Sequence, residues 1–459
     1  MGPRLPQRTP RFFTAVLAVA VVLGASWAAT APSASAVVPR PGTAPPPAAG
    51  PTGPTVLGQT VTFHGRGYGH GVGLNQYGAR GRAIAGQDAA TILAHYYPGA
   101  TMGSISPSMR VRVLVLRSWT ASPSRPLTLY GRRAPWSIDG LAKTFPPDAR
   151  LRLTPTTTTT SAGSTRTTWR IRVTARSGAV LHDGAKPKTL VLRGTTGSTR
   201  LQVWSKPGTY DQYRGRLRVN ASSTRPTVSV VNDATMEQYL GGVVPAEMPA
   251  SWPAVALQVQ AIAARSYAAR RLHPGVGSYD LTDDTSSQVY RGVLAEKAPT
   301  NLAIKATAGV VLRSGASIAN TLFHSTGGGA TEHNENVFVA ASGARVAGPV
   351  PYLRGSSDRR PDGTAWDSMS PYATWSMKPY SRAQLSAWFA ADPRTDVGAL
   401  TALDLRARGV SGRLVRVTLI GAKGSKTVSG NVFRSILNAA RPAGDPMLRS
   451  TLFDTSPVP

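Results

Sequence analysis

The sequence predicts an α+β protein in which short strands outnumber helices, and two observations carry this prediction. Between residues 109 and 231, six short segments such as "MRVRVLVL" and "TWRIRVTA" are rich in β-branched residues, often alternate, and are separated by turn residues. Helical periodicity is instead found on either side, in residues 89–100 and in residues 251–273. Strands and helices therefore occupy separate stretches of the chain, which is typical of the α+β class.

The first 36 residues have the three parts of a secretory signal peptide. Arg4, Arg8 and Arg11 form a basic region, residues 12–23 are nearly all apolar, and Ala-Ser-Ala at 34–36 offers a cleavage site. The apolar stretch is short for a membrane span, and a retained N-terminal anchor is the alternative. We therefore expect a protein that is secreted to the cell wall or beyond and has no membrane association after cleavage.

The rest of the chain divides by composition. Residues 37–55 are rich in Pro, Ala and Gly and predict an extended linker. Residues 56–459 predict one domain in three parts, namely a glycine-rich segment (56–100), a β-rich part (109–231) and a catalytic-type part (232–459). The threonine run at 154–160 is interpreted as a loop or a hairpin edge. Helices are expected at 89–100, at 251–273 with Ser251 as N-cap, at 301–309, at 382–391 and at 430–437.

Charge and cysteine content narrow the class of function. The chain has no cysteine, which excludes disulfides, cysteine-based zinc sites and a thiol nucleophile. Its formal charge is +30, and cleavage after residue 36 removes three arginines and no acid, leaving +27. Such a charge favours polyanionic partners, although a biased genome is the alternative source of the arginines. Because the chain is predicted to be exported and has few aromatic residues, we expect no nucleic acid partner and favour the cell wall.

Glycine occupies every second position from Gly65 to Gly73 in "GRGYGHGVGLNQYGARGRA". If the stretch is extended, one face is bare backbone on which a flat ligand such as a sugar ring can lie. The alternative is a tight, buried cluster of turns in which glycine avoids clashes. No offset fits G-x-G-x-x-G, so a dinucleotide loop is not predicted.

Glu247 is the strongest candidate for an acid or base. It lies among apolar residues in "VVPAEMPASWP", and burial of a carboxyl raises its pKa toward the range that a general acid needs. A helix is expected to begin just after it, and a helix N-terminus favours the anion, so the two effects oppose each other. The alternative is that Glu247 only caps that helix.

Other polar clusters give weaker predictions. His324 and Ser325 are adjacent, so on a strand they point to opposite faces, and no G-x-S-x-G elbow is present; we expect a polar, glycine-hinged loop at the rim of a cleft. His333 with Glu332 and Glu335 lacks the H-E-x-x-H spacing, and no metal is predicted there. The acids in residues 280–284 do not fit a calcium loop and are interpreted as solvated.

Six motifs in one order resemble a known family. They are "YRGRLRV" (213–219), "VVPAEMPASWP" (243–253), "QAIAARSYA" (260–268), "SSQVYRG" (286–292), "HSTGGGATE" (324–332) and "PYLRG" (351–355). Together they resemble the SpoIID/LytB family, that is, stage II sporulation protein D and the amidase enhancers. The resemblance covers roughly residues 56–453, which is nearly the whole chain after the predicted signal peptide.

The resemblance implies a SpoIID-like α+β fold with a glycan-binding cleft and a secreted protein that acts on peptidoglycan. Sporulation members of the family resemble lytic transglycosylases, and the glutamate of their "EMP" motif, matched by Glu247, is the proposed acid/base. LytB members are described instead as non-catalytic wall proteins that enhance an N-acetylmuramoyl-L-alanine amidase. Glycan strands, with a cell-wall amidase as a possible second partner, are the expected partners, and either function remains open.

Further site residues follow from the motifs. We expect sugar contacts from seven residues around Glu247, with an ion pair as the alternative role for the arginine: Tyr68, His70, Gln76, Arg265, Tyr267, Ser325 and Thr326. Some family members hold zinc through a histidine and two cysteines, where this chain has Thr282 and Ser287, so no metal and no cofactor is expected. The "GHGVG" motif, which often follows "HST" in the family, here precedes it and is expected to take the place of a C-terminal strand.

Ordinary glycosidases use two carboxylates, whereas no second acid shares a motif with Glu247. A lytic transglycosylase needs only one, because the C6 hydroxyl of the muramoyl residue attacks its own anomeric carbon. The sequence therefore favours this enzyme over a hydrolase, with a non-catalytic wall-binding protein as the rival.

Overall fold

The computed structural model of the chain describes residues 53–159, 161 and 163–457. The predicted signal peptide (1–36) and nearly all of the predicted linker (37–55) lie outside the described residues. Within them, the first ordered element begins at Thr55, close to the expected start of the domain at residue 56. None of the helices in this part of the chain combines the length and apolarity that a bilayer-spanning segment needs.

The described residues form eight α-helices and one short 3-10 helix. The α-helices are α1 (Gln76–Ile84), α2 (Ala89–Tyr96), α3 (Met236–Glu247), α4 (Ala254–Arg270), α5 (Ala298–Ala306), α6 (Asn334–Val337), α7 (Arg382–Ala390) and α8 (Gly430–Ala440). The 3-10 helix spans Gly292–Ala295.

The strands are short and concentrated in the middle of the chain. The first four are β1 (Thr55–Val56), β2 (Thr60–Val61), β3 (His64–Gly65) and β4 (Leu74–Asn75). The β-rich part holds β5 (Thr101–Ser104), β6 (Arg110–Thr120), β7 (Leu127–Arg132), β8 (Trp136–Ile138), β9 (Thr144–Phe145), β10 (Arg150–Thr159), β11 (Thr165–Thr174), β12 (Val180–Ala185), β13 (Leu190–Gly194), β14 (Arg200–Val203), β15 (Gln212–Tyr213), β16 (Arg216–Ala221) and β17 (Thr227–Thr235). The remainder are β18 (Leu281–Thr282), β19 (Val310–Ser314), β20 (Ser317–Ile318), β21 (Phe323–His324), β22 (Trp375–Ser376), β23 (Tyr380–Ser381), β24 (Leu400–Asp404), β25 (Arg416–Gly421), β26 (Gly424–Ser429) and β27 (Phe453–Asp454).

The α+β class is confirmed, and two sheets account for the β-rich part. The larger has the strand order β18-β6-β17-β16-β13-β8-β9, and the other has the order β12-β11-β10-β7-β14-β15. Alternate residues of both sheets are buried in one shared core, which also takes in the inner face of α3. The threonine run is the far end of β10, paired with β11 up to Thr159, which agrees with the hairpin-edge interpretation.

Helix α4 is the central helix of the catalytic-type part. It packs against α1, α2, α3 and α5, and 13 of its 17 residues are buried. It begins at Ala254 and not after Ser251, because Pro253 occupies the N-cap position and no side chain caps the helix. The predicted N-cap at Ser251 is therefore wrong, and the helix also ends earlier than expected, at Arg270.

The N-terminal segment is built into the C-terminal half of the domain. Strand β3 lies between β22 and β27, and β4 pairs in parallel with β21. A buried network then anchors the start of α1, since the Asn75 amide donates to Asp358 at 2.8 Å and to Asp367 at 2.9 Å. Arg82 of α1 makes an ion pair with the same Asp358 at 2.9 Å. The segment thus pairs with strands from the C-terminal half of the domain, and its replacement of a C-terminal strand stays a prediction.

Candidate functional site

Glu247 is the last residue of helix α3. The helix begins with a capping box between Thr235 and Gln238, and it ends where Met248 turns to an extended conformation. The expectation that Glu247 precedes a helix N-terminus, or caps one, is therefore wrong. Because the C-terminal end of a helix is its negative end, the dipole here disfavours the carboxylate and acts in the same direction as burial.

The surroundings of Glu247 raise its pKa above the ordinary value. Burial is the main cause, since the residue is half-buried and its neighbours Val243, Val244 and Met248 are fully buried. A hydrogen bond from the backbone N–H of Val289 to Oε1, 3.2 Å long, and the positive charge of Arg291 act in the opposite direction. Oε2 has no hydrogen-bond partner among the described residues. A carboxyl group held in this way is suited to carry a proton at a pH where free glutamate has lost it.

Glycine in α3 lets the "QVYRG" segment approach Glu247. A Cβ at Gly242 would lie 2.6 Å from the ring of Tyr290 and 2.7 Å from the backbone nitrogen of Gly292. The carbonyl of Gly242 also accepts a hydrogen bond of 3.1 Å from Arg291. The segment therefore lies directly on the helix, and this contact sets the position of the Val289 N–H.

Two tyrosines complete the surroundings of the carboxyl group. Burial is the main reason why the pKa values of Tyr239 and Tyr267 are raised, and the negative charge of Glu247 contributes to both. The Tyr239 hydroxyl donates to Gln288 at 3.0 Å, within the "QVYRG" region. The guanidinium of Arg271 lies 3.4 Å from the ring centre of Tyr267. Of the predicted sugar contacts, Tyr267 is therefore one that lies within electrostatic range of the Glu247 carboxyl.

The first turn of α1 joins Glu247 to the "HST" segment. Gln76 donates to the backbone carbonyl of Glu247 at 3.5 Å and to the side chain of Gln260 at 3.2 Å. The next residue, Tyr77, donates from its backbone to the Ser325 carbonyl at 3.0 Å, and its ring meets Trp252 at 4.7 Å. Gln76 is buried. In this structure it is a positioning residue for the end of α3, whereas half-buried Ser325 stays a candidate for substrate contact.

The glycine repeat is neither a flat strand nor a set of ordinary turns. Its glycines at 67, 69, 71 and 73 all have positive φ, between 69° and 106°. A Cβ at Gly73 would lie 2.2 Å from the carbonyl oxygen of Leu322, and one at Gly67 would lie 2.7 Å from that of Thr326. Backbone hydrogen bonds join Tyr68 and Thr326 in both directions. The repeat therefore packs closely against residues 322–327, which explains its glycines by close approach to this neighbouring backbone.

His70 and Tyr68 lie on this repeat. His70 is half-buried, its ring is 5.4 Å from that of His324, and its Nδ1 accepts from the Val72 backbone at 3.0 Å. Burial, with help from the charge of Arg413, lowers the His70 pKa to about 4, so the ring is neutral near pH 7. The Tyr68 ring packs edge-on against Tyr372 at 4.9 Å. Sugar contacts from these two residues stay predictions.

Two of the predicted contacts are buried in structural roles. The Arg265 side chain is fully buried and makes two hydrogen bonds to Glu237, of 2.7 and 3.0 Å. This is the ion-pair alternative for Arg265, and it leaves the side chain out of reach of a glycan in this structure. Thr326 is also fully buried, and its hydroxyl is 2.7 Å from that of Ser370. The expectation that Arg265 and Thr326 bind substrate needs this correction.

The positions considered for metals are occupied by hydrogen bonds within the chain. The hydroxyls of Thr282 and Ser287, where some family members have cysteines, lie 3.2 Å apart. Glu335 makes a bidentate ion pair with Arg354 at 2.8 Å. Nδ1 of His333 accepts from the Gly355 backbone at 2.8 Å. Among the described residues no group of three His, Asp or Glu side chains is arranged to hold a metal ion.

Sequence reasoning missed Val289, which hydrogen-bonds the Glu247 carboxyl, and Arg291 and Tyr239, which interact with it electrostatically. The signal for the first two was the "SSQVYRG" motif, which was used for the family resemblance and not for the site. Tyr239 lies eight residues before Glu247, two turns earlier on α3, and helical spacing places both on one side of the helix. A cleft that follows Glu247 stays a prediction.

Known proteins are similar to the part of the chain that contains Glu247. Residues 224–313, which include Glu247 and Val289, match the family described as Stage II sporulation protein, SpoIID. The curated "Amidase enhancer" of Bacillus subtilis (strain 168) is 31% identical over 162 residues, which is 35% of this chain and 21% of the relative. An uncharacterized protein of Brachyspira hyodysenteriae is 34% identical over 131 residues, which is 28% of this chain and 33% of the relative.

The matches therefore span only about a fifth and a third of these relatives' own lengths. No solved structure matches the chain. The resemblance found in the motifs is confirmed for residues 224–313, which match the SpoIID family, and the chain is similar there to a curated amidase enhancer.

Proposed function

We propose that the protein is a secreted, cell-wall-acting lytic transglycosylase in which Glu247 is the single general acid and base. The observation that carries the proposal is the state of this carboxyl group. Burial raises its pKa, Oε1 is held by the Val289 N–H, and Oε2 is without a partner among the described residues. An oriented, proton-bearing carboxyl group is what protonation of a glycosidic oxygen requires.

In the proposed reaction Glu247 first donates its proton to the oxygen that leaves the anomeric carbon. The bond from C1 to that oxygen breaks, and positive charge develops on the sugar ring. The C6 hydroxyl of the same muramoyl residue then attacks C1 and gives its proton to the Glu247 carboxylate. The products are a chain with a new hydroxyl end and a 1,6-anhydromuramoyl end, and Glu247 is protonated again.

This route explains how one carboxylate suffices. General acid–base catalysis contributes roughly 10²–10⁴ in rate, and the intramolecular hydroxyl supplies the proximity that a second carboxylate otherwise gives to water. The charge that acts on the Glu247 pKa is that of Arg291, which is positive. Arg291 also offers a counter-charge for the carboxylate after it has given up its proton.

A second candidate function is enhancement of a cell-wall amidase without catalysis, and the similarity to the B. subtilis relative of that name supports it equally. In that case the protein binds the wall, and a buried Glu247 is only part of its framework. The net charge of +27 that remains after cleavage favours binding to wall anions under either proposal.

The two functions separate in one experiment. Purified protein without its first 36 residues is incubated with glycan strands, once with stem peptides and once without them, and chain ends are analysed by mass spectrometry. A lytic transglycosylase generates anhydro ends with no other protein present. An enhancer generates none alone, and raises product release only when an N-acetylmuramoyl-L-alanine amidase is added.

A further inference from the structure

A second candidate site lies on the solvent face of the six-stranded sheet, away from the residues around Glu247. A cavity of about 420 Å³ opens there. The lining residues that bear on its chemistry are Tyr130, Arg132, Asp148, Arg150, Arg176 and Trp204. These residues bring three cations, one acid and two aromatic rings to one surface cavity.

The aromatic part of the site is exposed. Trp204 follows strand β14 and is 58% exposed, and its ring meets that of Tyr130 at 5.9 Å in an edge-on arrangement. An exposed aromatic ring beside a cavity is accessible to a ligand that enters the cavity. Its flat, apolar face is suited to stack on the apolar face of a sugar ring.

The sheet itself brings these side chains together. Gly131 lies between Tyr130 and Arg132 on β7, and its buried face packs against the Trp136 ring. Tyr130 and Arg132 therefore point to the opposite, solvent-facing side of the sheet. Arg150 on β10 lies directly opposite Tyr130 in the antiparallel register. Directly opposite residues share one face of a sheet, so Tyr130, Arg132 and Arg150 all face the cavity.

The cations of the site differ in how they are held. Arg132 donates to Asp148 at 2.7 Å and to Gln202 at 2.7 Å, and it lies 4.0 Å from the ring centre of Tyr130. Nε of Arg150 is buried without a hydrogen-bond partner among the described residues, and Arg176 is exposed. Asp148, the one acid among the lining residues, is thus paired with Arg132. Arg150 and Arg176 are therefore available to bind an anionic group of a ligand.

The turn before β10 positions the acid of the cavity. Asp148 has a φ of 64°, a left-handed turn conformation that Asp adopts more readily than most residues other than glycine, and its backbone N–H donates to the Gly131 carbonyl at 2.7 Å. This geometry carries the Asp148 carboxylate to Arg132.

We propose that this cavity binds an anionic saccharide, with a pyranose ring stacked on Trp204 and a carboxylate or phosphate group held by Arg150 and Arg176. The choice of a saccharide over other anions rests on the proposed function in the cell wall. The site itself is separate from Glu247 and takes no part in bond cleavage. It would hold a wall polymer while another stretch of glycan reaches Glu247.

Binding to three probes tests the proposal. The probes are a neutral N-acetylglucosamine tetramer, a muropeptide disaccharide that carries carboxylates, and N-acetylglucosamine 1-phosphate, each titrated calorimetrically against the protein without its first 36 residues. We expect the carboxylate probe, the phosphate probe or both to bind, and the neutral tetramer to bind about tenfold more weakly. The stronger of the two anionic probes identifies the source of the negative charge. A neutral tetramer that binds equally well contradicts the proposal.

Substitutions of the lining residues provide a second test of the proposed binding site. Trp204→Ala should weaken binding of the anionic probe about tenfold, whereas Trp204→Phe, which keeps a ring, should weaken it much less. Arg150→Gln should weaken it, and Arg225→Gln, which removes an exposed arginine from the turn between β16 and β17, should not. Unchanged binding by Trp204→Ala, or an equal loss in Arg225→Gln, overturns the proposal.

Glu247→Gln separates this proposal from the proposed function. The variant should bind the anionic probe as the wild type does, because no residue of the cavity contacts Glu247. If Glu247→Gln keeps full activity, the transglycosylase proposal fails and the binding site stands. If Trp204→Ala keeps full binding, the binding site fails and the transglycosylase proposal stands.

Discussion

The backbone N–H of Val289 donates a hydrogen bond of 3.2 Å to Oε1 of Glu247. This contact joins the end of helix α3 to a segment 42 residues further along the chain. It lowers the pKa of Glu247, while burial, the larger effect, raises it. The bond fixes one carboxyl oxygen and leaves the other for a substrate.

The first prediction concerns pH and stability. Because the folded-state pKa of Glu247 lies above its ordinary value of 4.5, the folded protein binds more protons than the unfolded chain between these two values. Stability from this group therefore falls as pH rises through that window. Glu247→Gln, whose amide oxygen still accepts from Val289, should be more stable than the wild type at pH 7 and equal to it below pH 4. Urea unfolding at both pH values measures the difference.

Glu335→Gln is a control for which the opposite change in stability is expected at pH 7. Burial acts to raise the pKa of Glu335, but hydrogen bonds from Arg354 prevail and lower it below the ordinary value. This group therefore stabilises the fold above its unfolded pKa, and Glu335→Gln should destabilise the protein at pH 7 and less so in acid. If Glu247→Gln also destabilises the protein at pH 7, Glu247 is not held in the way described.

The second prediction concerns the two neighbouring glycines of α3. In Gly242→Ala the new Cβ would lie 2.6 Å from the Tyr290 ring, so the "QVYRG" segment must move and Val289 must leave Glu247. We expect a loss of about 1–3 kcal/mol in the free energy of unfolding and a loss of activity with it.

Gly241→Ala is the matched control for Gly242→Ala. Its nearest contact is 3.5 Å away, which is ordinary van der Waals distance, and alanine favours a helix by about 0.5–1 kcal/mol over glycine. The control should be neutral or stabilising. Thermal unfolding of both variants checks the prediction, and equal effects at the two positions would show that the close approach of Tyr290 is not what requires glycine.

The third prediction concerns the buried network that anchors the N-terminal segment. Burial alone would raise the pKa of Asp358, but hydrogen bonding from His95 and the charge of Arg82 hold it at about 2. Asp358→Asn leaves Arg82 without its carboxylate partner and should lower the stability at pH 7 by about 3–5 kcal/mol. The stabilisation is present above the unfolded pKa near 3.8 and is lost as pH falls through about 2, so the difference between wild type and variant should shrink in acid.

Guanidinium unfolding at pH 7 and pH 3 measures the role of Asp358. The control is Asp392→Asn, which removes the partner of the exposed Arg394 and should change the stability little. Similar losses for the two variants at pH 7 would mean that Asp358 does not anchor the N-terminal segment.

The sequence predicted the main elements of the fold where the signal is local. Alternating β-branched residues predicted the strands of residues 109–231, and helical periodicity predicted α2, which ends at Tyr96 and not at the expected residue 100. The boundary before α4 was wrong because Ser251 and Pro253 together resemble an N-cap and a first turn. In the structure the proline itself occupies the N-cap, and the preceding helix continues through Pro245 to Glu247.

The sequence could not predict contacts between residues that are far apart along the chain. Two consecutive glycines, Gly241 and Gly242, are typical of a helix end in a sequence. Only the packing of Tyr290 against α3 explains why a glycine is needed at position 242 inside the helix. Alternating glycines suggested a flat surface or a turn cluster, whereas the positive φ values follow from close packing against residues 322–327. The ion pair between Arg265 and Glu237 likewise joins residues 28 positions apart. The sequence alone did not distinguish this ion pair from a sugar contact as the role of Arg265.

The fourth prediction bears on the central claim. The protein without residues 1–36 and its Glu247→Gln variant are incubated separately with purified glycan strands, and 1,6-anhydromuramoyl ends are counted by mass spectrometry. Because a general acid and base contributes roughly 10²–10⁴ in rate, the variant should form these ends at least a hundredfold more slowly while its circular dichroism is unchanged. Anhydro ends formed by the variant at the wild-type rate would contradict the account.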